Sequence, residues 1–145
     1  MLPPQSAPAT TSVATPYEQL LEQIRYNGAY PTREHAAEVT HAVLAALGRQ
    51  LTGDERVDLA ACLPVEAALT FTAQIPTVRP RTGQQLVQDL AARTGGTPAT
   101  ARWDAGTVLT TIAHRIDPHL LDRILAQLPT GYALLFGRAE LLRTA

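Results

Sequence analysis

The sequence predicts an all-α fold, a helical bundle built from two tandem repeats of about 55 to 60 residues, each three helices plus a short fourth. Three observations carry this reading. Leu125 to Phe136 (Leu-Ala-Gln-Leu-Pro-Thr-Gly-Tyr-Ala-Leu-Leu-Phe) echoes Ala60 to Phe71, 65 positions earlier: Ala61, Leu63, Pro64, Ala68 and Phe71 recur as Ala126, Leu128, Pro129, Ala133 and Phe136. Apolar residues between these landmarks recur at helical spacing. Prolines and capping residues stand where helices would begin.

Taken in order, residues 1–14 are rich in Pro, Ala, Ser and Thr, carry no charge and show no apolar period. Such a stretch cannot bury enough surface to offset the entropy of ordering it, and it is expected to be a disordered tail. The helical domain is expected over 15–145: repeat one at 15–73, a linker at 74–81, repeat two at 82–137 and a terminal turn at 138–145. Thr15-Pro16-Tyr17-Glu18 supplies an N-cap, a proline at the first helical position and a capping-box Glu. Tyr17, Leu20, Leu21 and Ile24 then form one stripe, which Asn27-Gly28 should end. Leu86, Val87 and Leu90 occupy the corresponding places in the second copy, with Gly95-Gly96 as the stop.

The second helix is expected from Thr32 to Gly48 or Leu51. Val39, Val43, Leu44, Ala46, Leu47 and Leu51 share one side, opposite Glu38, His41, Ala45 and Arg49. Its counterpart opens at Thr97-Pro98 and turns Ala105, Leu109, Ile112, Ala113 and Ile116 inward, away from Asp104, Thr107, Thr111 and Arg115. Gly106 lies on the inward side, where glycine costs about 1 kcal/mol of helix propensity, so a close helix approach is expected there. Thr52-Gly53-Asp54-Glu55 reads as a capping box for the third helix and Asp117-Pro118 as its counterpart. Pro64 and Pro129 stop that helix and suit the start of a short fourth, anchored by Phe71 and Phe136.

A chain of 145 residues can bury roughly 68 to 70% of its unfolded surface, so a real core is possible. All twelve basic residues are Arg, a pattern read first as the coding bias of a GC-rich bacterial genome. The net charge of −1 gives no general attraction to nucleic acid or anionic membranes. Its distribution is uneven. Residues 1–73 hold four Arg against eight acids, net −4, and residues 74–145 hold eight Arg against five acids, net +3. Cys62 is the only cysteine, which excludes an intramolecular disulfide; it is expected to be a small buried thiol. No stretch resembles a membrane span or a signal peptide, and a cytoplasmic location is expected.

Candidate sites are few. Glu38-Val39-Thr40-His41 has the Glu-x-x-His spacing of di-iron bundles, but the duplicate positions are Asp104 and Thr107, so the ligand set does not close. His114 and His119 flank a turn without a helical spacing that would pair them, and His35 sits in a first turn. Arg79, Arg81, Arg93 and Arg102 make the basic concentration, with Trp103 beside them at the edge of an apolar stripe. No residue is assigned as catalytic, cofactor-binding or metal-ligating, and no cofactor is expected.

Tyr17-Glu18-Gln19-Leu20-Leu21, Thr40-x-x-Val43-Leu44-x-x-Leu47 and Gln127-Leu128-Pro129-x-x-Tyr132-x-x-Leu135-Phe136 resemble the bacterial domain of unknown function 2267 family over roughly residues 16 to 137. These are packing motifs, and the first copy departs from them with Ala67 where the second has Tyr132. The resemblance implies an all-helical, duplicated bacterial protein and carries over no catalytic residue. The leading functional expectation is a non-catalytic helical interaction or scaffold module, with an unknown protein partner or self-association and no membrane. The alternative is a small-molecule or metal-dependent enzyme using polar helix faces; nucleic-acid binding comes third.

Overall fold

The computed structural model describes residues 14–77 and 79–138. The tail expected at 1–14 and the turn expected at 138–145 lie outside these residues except for Ala14 and Arg138. The described residues form eight helices and no strand: α1 Pro16–Gly28, α2 Arg33–Gly48, α3 Gly53–Cys62, α4 Val65–Thr72, α5 Gly83–Thr94, α6 Pro98–Ala113, α7 Pro118–Gln127 and α8 Tyr132–Leu135.

Local signals set most helix ends. The Thr15 hydroxyl accepts from the Glu18 N–H at 3.1 Å, and the Thr15 N–H donates to the Glu18 carboxylate at 3.0 Å. Thr82 and Gln85 close a second box at α5. Thr97 caps α6 and Asp117 caps α7, each with proline in the first turn. α1 stops at Gly28 as expected, though not through a left-handed glycine, and the box expected at α3 fails. The left-handed residue that ends α1 is Ala29, φ 56°, and not Gly28. Gly28 is used for proximity, since a Cβ there would stand 2.2 Å from the Tyr30 ring. The box at α3 does not form, because Thr52 makes no side-chain cap. Gln127 takes its place: its Oε1 accepts from the Thr52 N–H at 2.7 Å and its Nε2 donates to Glu55 Oε1 at 2.8 Å.

Two helices share the centre: α2 packs on α1, α4, α5 and α6, and α6 packs on α1, α2, α5 and α8. The surroundings of α6 correct two inward and outward assignments. Thr111, expected to face solvent, is 3% exposed, because α1 covers it and Asn27 Nδ2 donates to its hydroxyl at 2.9 Å. Gly106, expected under a neighbouring helix, has nothing within 4 Å of an added Cβ. The close approach occurs at Gly48, where a Cβ would meet the Phe71 carbonyl oxygen at 2.3 Å. Arg56 of α3 holds these two helix ends together. Its guanidinium donates to the carbonyls of Gly48, Leu51 (2.9 Å) and Gln74 (2.6 Å) and lies 5.2 Å from the Phe71 ring centroid. A cation there complements the partial negative charge at helix C-termini.

The buried side chains form one cluster that includes Leu20, Ile24, Leu44 and Leu47 together with Leu90, Leu109, Ile124 and Phe136. The expected core of α2 is buried throughout, from Val39 to Leu51.

Candidate functional site

The loop after α4 is strapped to the end of α2. The Thr77 N–H donates to the Arg49 carbonyl at 2.7 Å, and the Arg81 N–H donates to Gln50 Oε1 at 2.9 Å. This brings Arg81 alongside Arg49, and α5 adds Asp89 and Arg93, four residues apart and therefore on one helical face. The resulting cleft of about 130 Å³ has Leu86 and Leu90 among its apolar lining. Burial, and then the charge of Arg93, pushes the Arg49 guanidinium below its usual pKa, with Asp89 opposing. Of the basic residues prominent in the sequence, Arg81 and Arg93 meet here; Arg102 lies on another face and Arg79 is exposed. Arg49, which the helical period assigned to the solvent side of α2, is the member that sequence reasoning missed.

A second, open groove of about 660 Å³ runs between α1 and α6. Gln23, Asn27, Arg102, Trp103, Gly106 and His114 line it, which explains why Gly106 meets no neighbour. Trp103 lies at the boundary, largely exposed, with its Nε1–H donating to the Gly28 carbonyl at 3.1 Å. Just beyond, the buried Tyr30 hydroxyl donates to Asp104 Oδ1 at 2.6 Å. Burial, followed by the hydrogen bond and charge of Asp104, holds Tyr30 well above the usual phenol range.

The two residues of the Glu-x-x-His spacing have different surroundings. Glu38 lines a cleft of about 230 Å³ with His35 and Asp104, whereas His41 Nδ1 lies 3.3 Å from Thr70 Oγ1 on α4. Among the described residues no three of His, Cys, Asp and Glu come together as a metal-holding group. His119 is exposed at the start of α7 and does not share the groove lined by His114. Cys62 corrects an expectation, being exposed at the end of α3, a helix whose one buried residue is Leu59.

The outer face of α4 is unusual in another way. Its inner side buries Ala67 and Phe71, yet Val65 and Leu69, one turn apart on the outer side, are 69% and 63% exposed, and Ile75 beyond the helix is 83% exposed. The sequence signal was present in Val-Glu-Ala-Ala-Leu-Thr-Phe-Thr, which is apolar on both faces. No described helix is long and apolar enough to cross a membrane.

Comparison with known proteins matches residues 17–135 to a family described as "Uncharacterized conserved protein (DUF2267)". No curated protein matches the chain.

Proposed function

The chain belongs to the DUF2267 family of uncharacterized conserved proteins, and we propose that it is a non-catalytic helical interaction module whose docking face is the outer side of α4. The observation that carries this reading is the exposed pair Val65 and Leu69, extended by Ile75. A helix that is apolar all round belongs in an interior, and α4 is covered on one side only. Covering Val65 and Leu69 would contribute roughly 1.5 to 3 kcal/mol for each side chain. The occupant that fits is an amphipathic helix of a protein partner with a basic flank. Glu66 lies within the strip, and residues 1–73 carry net −4 from four Arg and eight acids.

The scaffold behind this face is read as a tandem duplication, 15–73 and 82–137. Helix lengths of 13, 16, 10 and 8 residues are followed by lengths of 12, 16, 10 and 4 in the same order. The common hydrophobic cluster supports treating 15–145 as one domain. A bacterial cytoplasm is the proposed compartment, where the exposed Cys62 thiol would stay reduced.

Two synthetic helical peptides with the same leucine face, one flanked by arginines and one by glutamates, test the proposal by calorimetric titration into the full chain. The basic peptide should bind and the acidic one should not, and Leu69→Glu should abolish binding without changing the circular dichroism. Failure of both peptides, or binding that survives Leu69→Glu, overturns the reading. Sedimentation that shows a dimer dispersed by Leu69→Glu would replace the foreign helix by a second copy as the occupant.

A further inference from the structure

We infer that the cleft between α2 and α5 is a receptor for one small oxyanion of the phosphate class, held by Arg49, Arg81 and Arg93. This site is independent of the α4 face.

Its charge balance is the first argument. Three guanidiniums and one carboxylate line the cleft. Asp89 Oδ2 pairs with Arg81 Nε at 3.1 Å, and Arg49 donates one N–H to Gln74 Oε1 at 2.8 Å. Arg93 has neither a hydrogen bond nor an ion pair among the described residues. Arg49 and Arg93 therefore share the cleft with no carboxylate paired to either among the described residues. Burial, and after it the charge of Arg93, depresses Arg49, a residue whose own helix end should favour a cation. Like charges gathered in a concave, partly desolvated place destabilise the fold unless an anion joins them.

Shape supplies the second argument. A cleft of about 130 Å³ leaves room for a tetrahedral oxyanion with its five heavy atoms. Guanidinium forks present paired N–H donors that match phosphoryl oxygens. The arginines come from three separate stretches, a helix end, a loop and a last helical turn, so the folded chain surrounds the ligand rather than offering a flat basic strip. That arrangement suits a small anion better than a nucleic-acid backbone.

The test is calorimetric titration of the full chain with inorganic phosphate, with glycerol phosphate and, as a control, with chloride at matched ionic strength. Saturable binding of one phosphate per chain is expected. Arg93→Gln should weaken it about tenfold or more, the effect of losing a hydrogen bond to a charged group. Arg93→Lys should restore part of the affinity. Because Arg93 is exposed and unpaired, its variants should melt like the parent chain without phosphate, which separates lost binding from lost folding. Equal binding of both phosphates supports capture of a phosphoryl group on a small molecule, and binding of inorganic phosphate alone supports capture of the free ion. Heat that chloride reproduces, binding unaffected by Arg93→Gln, or an Arg93-dependent preference for a single-stranded oligonucleotide over both phosphates overturns the inference.

Discussion

Gln127, on the last turn of α7, caps the start of α3 through Thr52, a residue 75 positions earlier in the chain. Its amide receives the Thr52 N–H, donates to the Thr52 carbonyl at 3.0 Å and reaches Glu55. One side chain thus ties down the N-cap residue of a helix in the other half of the molecule.

Gln127→Ala should therefore destabilise the protein by about 1 to 2 kcal/mol, the range of a lost cap with its hydrogen bonds. Thr52→Ala should cost less than about 0.5 kcal/mol, because its hydroxyl makes only one long, exposed bond to Gln127 Oε1 at 3.2 Å and the backbone bonds remain. Urea unfolding of both variants distinguishes this arrangement from the local capping box that the sequence suggests.

Glycine substitutions should have opposite signs at two positions. Gly106→Ala should stabilise by about 0.5 to 1 kcal/mol, since the added methyl enters an open groove and helix propensity improves. Gly48→Ala should destabilise by about 1 to 3 kcal/mol, because the methyl would be driven into the Phe71 carbonyl where Arg56 holds α2 and α4 together. Thermal melts of the two variants check the contrast, and equal shifts would refute it.

Tyr30 should make the fold sensitive to alkali. Its folded-state pKa is raised above the ordinary value of 10.0, so the folded state holds this proton more tightly than the unfolded chain does. The corresponding stability is present below the unfolded pKa and is lost as pH rises through the folded one, beginning near about pH 10. Tyr30→Phe should cost about 1 to 2 kcal/mol at neutral pH by removing the bond to Asp104, yet flatten the alkaline decline. Urea midpoints measured across that range give both quantities.

The two halves should not fold separately. Fragments 1–76 and 77–145 would each lose the shared cluster and the bonds Asn27 to Thr111, Tyr30 to Asp104 and Trp103 to Gly28. Each should show little helix by circular dichroism and gain it on mixing. Arg123 bridges Glu55 and Asp58 between the halves, but exposed pairs contribute at most about 1 kcal/mol. Association should persist in about half-molar salt, where such pairs are screened. A cooperative melt of either fragment alone would contradict this.

The sequence by itself determined the helical class, most helix starts and the buried stripe of α2. Caps such as Thr15 with Glu18 are made within one turn, so neighbours in the chain are sufficient to specify them. An apolar period likewise reveals that a helix has an inner side. It does not reveal how many neighbours surround that helix or which part of it they leave bare. Tertiary packing alone decided that α1 covers Thr111, that Gly106 faces a groove, that Val65 and Leu69 stay uncovered, and that Gln127 displaces the local cap at Thr52. It also decided the arginine cleft. Arg81 and Arg93 were visible as a basic concentration, but Arg49 joins them only because the loop from Thr77 to Arg81 is bonded across the end of α2. Such contacts join residues far apart in the chain, and no local period or propensity encodes that distance.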